Sequence, residues 1–146
     1  VQSQNIKYAL FLWTLLFTNA LKANEVHAEV VVVVSAKSTV ITLNRAEVAR
    51  IFLGKTTTFP NGESAVPLDQ ADNNSTYHEF YTKVTSKSAA QLKAYWSKII
   101  FAGDGQPPKA LANSDAIKKN LTSNTHAIGY LDRSAVDDSL KIVLVP

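Results

Sequence analysis

The spacing of apolar residues changes period several times between residues 30 and 146. Val30 to Val34 is an unbroken β-branched run. A strand buried on both faces has this pattern, as in parallel sheets covered by helices. The period then becomes helical. Val48, Ile51 and Phe52 form an apolar stripe, which predicts a helix over 45–53. Asn44 and Glu47 have capping-box spacing, and Leu43 and Val48 occupy the staple positions that fix how the chain enters the helix. Gly54 supplies a left-handed stop, and Lys55 suits the negative end of the helix dipole.

Thr56 to Gly62 reads as a loop, with Pro60-Asn61-Gly62 as its turn. Ala65 to Leu68 reads as a short strand, and Pro67 makes it an edge or a strand start. A polar loop from Asp69 to Ser75 follows. It opens a helix from Ser75 to about Val84, whose Tyr77, Phe80, Tyr81 and Val84 fall at i, i+3, i+4 and i+7. Ser88 and Gln91 form a second capping box. Behind it Leu92, Tyr95, Trp96, Ile99 and Ile100 make the strongest amphipathic stripe in the chain, a core face rather than an aromatic ligand platform. Ala102 to Lys109 reads as an exposed loop. Ser114 can cap a last helix from Asp115 to about Leu121. Ala127 to Leu131 and Leu140 to Val145 read as closing strands. Strands alternating with helices predict an α/β fold in one domain, with no internal repeat.

Residues 1–28 stand apart from this pattern. Lys7 precedes an apolar stretch, Tyr8 to Phe17, that is short for a bilayer span. Val26-His27-Ala28 resembles a small-residue cleavage signal, with Leu21-Lys22-Ala23 as a weaker one. The expectation is a secretory signal peptide over 1–28, cut before Glu29, and an exported domain over 29–146. The 146 residues carry a net charge of +3 and contain no cysteine. Without Lys7, Lys22 and Glu25 the charge is +2. So small and scattered a charge, with no Lys/Arg run, argues against a nucleic-acid partner. The lack of cysteine excludes disulfides, thiolate metal sites and a Cys nucleophile. It is compatible with a bacterial periplasm, where a compact core need not be cross-linked.

The candidate chemistry lies in the polar loop, because a helix start points backbone N–H groups at whatever sits before it. Catalytic alternatives are poor. Beyond residue 28 the histidines are His78 and His126, without a clear third metal ligand. Ser75 has no evident base to activate it. Asp137-Asp138 lacks the spaced oxygen ligands of a calcium loop and reads as a solvated turn. No enzyme activity, metal or cofactor is expected.

Three strings, in order, carry a family resemblance. Ile51-Phe52-Leu53-Gly54-Lys55 resembles the I-F-x-G-K signature of phosphate-type periplasmic solute-binding proteins of ABC transporters. Ala127-Ile128-Gly129-Tyr130 is similar to their late G-x-I-G-Y segment, with Thr125-His126 replacing the usual Pro-Gly. Between them, Val66 to Phe80 occupies the place of their anion-binding loop. The family loop reads roughly R-x-D-G-S-G-T, and here Gln70-Ala71-Asp72-Asn73-Asn74-Ser75-Thr76 stands in its register. Asp72 and Thr76 match. Gln70 stands in place of the anion-pairing Arg and cannot form its bidentate, charge-assisted clamp. The resemblance implies one lobe of a type II periplasmic binding protein, with a mostly parallel sheet covered by helices. It implies a non-enzymatic periplasmic substrate-binding domain whose ligand, phosphate or another oxyanion, meets Gln70, Asp72, Asn73, Asn74, Ser75 and Thr76. It also implies a membrane transporter or sensor protein as partner. About 118 residues suffice for only one lobe. A second copy of the chain or another protein then supplies the opposing face, or the domain is an interaction or sensor/adaptor module that has lost free-anion binding.

Overall fold

The computed structural model describes residues 29–146. The expected signal peptide lies outside the described residues. Five strands and four helices follow in chain order: β1 (Val30–Ser35), α1 (Arg45–Phe52), β2 (Val66–Gln70), α2 (Ser75–Thr85), α3 (Ala89–Ala102), β3 (Lys109–Leu111), α4 (Ser114–Ser123), β4 (Ala127–Asp132) and β5 (Leu140–Leu144). The strands make one sheet in the order β3-β2-β4-β1-β5. β2 is parallel to β3 and β4, while β1 is antiparallel to β4 and β5. Four strands therefore point one way and β1 the other. The sheet is mostly parallel, and the β-branched run expected to share its direction is the strand that opposes it. Burial on both faces makes a strand apolar throughout, whichever way it runs.

Alternation along β1 builds two cores. Val30, Val32 and Val34 pack on one face with Phe52, Phe80, Leu92 and Trp96, from α1, α2 and α3. Val31 and Val33 pack on the other with Ile117 and Leu121 of α4. Gly129 lets α4 approach the sheet, since a Cβ there would sit 2.9 Å from Ile117 Cγ2.

The α1 signals form as their spacing predicts. Asn44 Oδ1 accepts from Glu47 N at 2.9 Å, and Glu47 Oε2 accepts from Asn44 N at 2.8 Å. Behind the helix Gly54 has φ +67°. Lys55 N donates to Arg50 O and Gly54 N to Ile51 O, which satisfies the last carbonyls in a Schellman arrangement.

Several boundaries differ from expectation. β2 starts one residue later and runs on through Asp69 and Gln70. It lies inside the sheet, so Pro67 marks a strand start and not an edge. Val66 N donates across to His126 O, and the ring of Pro67 faces the side where β3 has not yet begun. Lys109 to Leu111, expected as the end of a loop and beyond it, forms β3. Asn113, not Ser114, caps α4 through a bond from Ala116 N. In the α3 stripe Leu92 and Trp96 are buried, but Ile100 is 46% exposed.

Candidate functional site

Two neighbouring parallel strands part company at their carboxyl ends. The connection leaving β2 enters α2 on one face of the sheet, and the connection leaving β3 enters α4 on the other. Gln70 and Leu111, the last residues of the two strands, lie opposite each other. In open α/β sheets such a divergence at the strand ends is where ligands are held. The start of α2 follows the end of β2, and the start of α4, with Asn113 and Ser114, follows the end of β3.

The floor beneath α2 is polar and closed. Asp69 is buried, and its carboxylate accepts from the Tyr81 hydroxyl at 2.6 Å, from the Tyr130 hydroxyl and from Gln70 N at 2.9 Å. Burial pushes the Asp69 carboxyl above its usual range, against the lowering effect of these donors. Burial, then the neighbouring Asp69 charge, pushes the Tyr81 and Tyr130 hydroxyls far up. The Tyr77 hydroxyl, on the first turn of α2, is raised to about 12 by burial first and then by the charges of Asp69 and Asp72.

The expected ligand residues divide into two groups. Gln70 is only 1% exposed and its amide is engaged on both sides. Its Nε2 donates to Tyr130 O at 2.8 Å, and its Oε1 accepts from Asn74 Nδ2 at 2.7 Å. Asn74 Oδ1 in turn accepts from Thr76 N at 2.9 Å and caps α2. Gln70, Asn74 and Thr76 thus form one bonded line from the sheet to the helix. Asp72, Asn73 and Ser75 are exposed around it. Among the described residues the Ser75 and Tyr77 N–H groups meet no acceptor. These two donors are what the loop presents outward.

A groove of about 440 Å³ runs beside the first turn of α2. Asp72, Tyr77 and His78 form one wall, and Lys93, Trp96 and Pro107 stand in the other. Lys93 was missed in the sequence because it lies on the exposed side of α3, where a lysine is ordinary. His78 and His126 lie at opposite ends of β2, since His126 O bonds Val66 N at the strand's start. Asp137 pairs with Lys118 at 2.6 Å and accepts from Ser139, which holds its carboxyl down at about 2. Among the described residues no three His, Asp or Glu side chains gather as a metal site.

No family model and no curated protein matches the chain. Its fold is shared with solved structures. A protein from Clostridium perfringens described as a phosphate ABC transporter substrate-binding protein, solved with bound phosphate, superposes with a TM-score of 0.62 at 22% identity. An ABC-type phosphate transport receptor from Vibrio cholerae gives 0.62 at 18%, and PstS from Borrelia burgdorferi 0.58 at 10%. Each superposition covers 79% of this chain. It covers 44%, 45% and 46% of the three structures respectively, so the chain spans less than half their length. The architecture is that of one lobe of a periplasmic-binding-protein fold.

Proposed function

We propose that residues 29–146 form an exported, non-enzymatic substrate-binding domain of the phosphate-transporter type, which holds phosphate or a related oxyanion at the start of α2. The observation that carries this reading is the pair of Ser75 and Tyr77 N–H groups that meet no acceptor among the described residues, at the start of α2 beyond the carboxyl end of β2. Backbone donors and the positive end of a helix dipole suit an anion. The fold supports the same reading, because the solved proteins that share it are described as phosphate-binding transport components. In this reading Asn73, Ser75 and Thr76 surround the oxyanion, and Asp72 accepts from a protonated phosphate oxygen. Gln70 and Asn74 hold the loop in shape. Lys93 lines the same groove as Asp72 and offsets its charge. The opposing face comes from outside residues 29–146, as a second copy or another protein, with a membrane transporter as the downstream partner.

The inward turn of Gln70 favours a second reading. With no cation in the loop itself, the domain serves as a one-lobe interaction or sensor/adaptor module that no longer binds free anions. Calorimetry of the purified protein with phosphate, sulfate and buffer alone decides between them. Saturable heat with an oxyanion, weakened by Thr76→Val, supports the binding role, and no heat with either anion leaves the module reading. Mass spectrometry of periplasmic protein beginning at Glu29 tests export and cleavage, and a retained apolar leader overturns both.

A further inference from the structure

The groove beside α2 is larger than a bare oxyanion needs. It holds about 440 Å³, and pockets for small organic molecules occupy about 300–1,000 Å³. The sequence keeps it open. Ser88 caps α3 in a reciprocal bond pair with Gln91, and the two residues that follow the cap are Ala89 and Ala90. Both alanines line the groove, so no long side chain fills it from the start of α3. Leu92 and Trp96, both buried, give it an apolar floor.

The groove is continuous with the start of α2. Tyr77 lines it, and the Tyr77 N–H is one of the two donors that meet no acceptor among the described residues. Asp72 lines it too, and Ser75, which carries the other donor, lies between these two wall residues in the chain. The charge in the lining has no dominant sign. Asp72 and Lys93 offset each other, and neither belongs to an ion pair among the described residues. His78 adds charge only when protonated. Such a lining suits an uncharged apolar body and gives a second anionic group no gain.

We propose, resting on the anion reading above, that the ligand of the α2 site is an organic phosphate monoester. Its phosphate end meets the Ser75 and Tyr77 N–H groups, and its uncharged apolar substituent lies in the groove against Leu92 and Trp96. The incomplete enclosure of the anion favours this class. Residues 29–146 supply one side of the site, so a bare phosphate stays hydrated on the other and its hydrogen bonds are worth less than in a dry pocket. A substituent that leaves water for the groove adds a favourable contribution from this one lobe.

The test is calorimetry of the full chain with phenyl phosphate, methyl phosphate, inorganic phosphate and phenol. Phenyl and methyl phosphate have the same ionised group and differ in apolar area, so their ratio reads the groove. Phenyl phosphate should bind about tenfold or more tighter than methyl phosphate, and phenol should give no heat. Ala90→Trp should abolish that preference by filling the groove, and Ser75→Pro should weaken both esters together. The ratio is measured on one protein, so a smaller folded fraction changes both affinities and leaves it intact. Equal affinities for the two esters in the parent overturn the inference and leave the anion reading standing. Binding of inorganic phosphate without either ester does the same. Phenol that binds as tightly as phenyl phosphate, or a preference that survives Ala90→Trp, overturns it by separating the groove from the anion site. No heat with any of the phosphates removes the anion reading, and this inference with it.

Discussion

The Asn74 side chain donates to Gln70 Oε1 at 2.7 Å, so the residue that caps α2 is anchored to the last residue of β2. Gln70 also reaches Tyr130 O on β4, at 2.8 Å. One amide therefore ties together two strands and the helix start. This bonding accounts for the burial of Gln70. It serves as a bracket for the loop, buried at 1% exposure.

Gln70→Ala removes the bracket and leaves Tyr130 O and Asn74 Nδ2 without their partners. A buried polar group left unbonded costs about 1–3 kcal/mol. The variant should lose that much in urea unfolding. Exchange of the Thr76 amide should also quicken, because its cap is no longer anchored. A midpoint equal to the parent's would show that the bracket contributes nothing.

Asp69→Asn should change the pH dependence of stability. The Asp69 carboxyl is raised in the folded protein, chiefly by burial. Its stabilising contribution is full below the ordinary value of 3.8 and is lost as pH rises through the folded value, because the native state then holds a proton that the unfolded chain has released. Asparagine keeps the shape and most of the hydrogen bonds without the charge. Urea midpoints measured from pH 4 to neutrality should therefore shift in favour of the variant as pH rises. A constant difference between the two proteins across that range would remove the buried charge from the account.

Gly54→Val should destabilise the fold through two effects. A β-branched side chain is strained at φ +67°, and a Cβ there sits 3.1 Å from the Trp96 ring. The backbone strain alone is on the order of 1–2 kcal/mol. A lowered melting temperature in calorimetry is the expected result. An unchanged one would mean that the stop after α1 tolerates another conformation.

What the sequence revealed follows the range of each interaction. The α1 cap and stop are local, involving residues at most five apart, and the spacing of Asn44, Glu47 and Gly54 was enough to read them. The burial of Val30 to Val34 was equally readable, but strand direction depends on partners a hundred residues away in β4 and β5. β3 is three residues long and exists because β2 offers an edge to pair with. The helix start at Ser75, with Asp72 and Asn73 in the loop before it, was readable from its spacing. The inward bonding of Gln70 was hidden, because its partner Tyr130 lies 60 residues away. Lys93 carried no signal, since its relation to Asp72 arises only from the packing of α3 beside α2.

Ser75→Pro separates the anion reading from fold stability. Ser75 is the first residue of α2, and its N–H has no acceptor among the described residues. Proline is favoured at that position because its fixed φ suits a helix and the missing N–H costs no intrahelical bond. Asn74 before it is already extended, at φ −94° and ψ 134°, as a residue before proline must be. The variant should therefore fold with the parent's melting temperature. If an oxyanion is held at the start of α2, the same change deletes one of its two backbone donors. A hydrogen bond to a charged group contributes about 1.5–3 kcal/mol, so phosphate affinity should fall about tenfold or more. A stable variant that titrates phosphate as well as the parent would move the anion away from α2. A variant that loses stability in step with affinity would show that the Ser75 N–H serves the helix start itself.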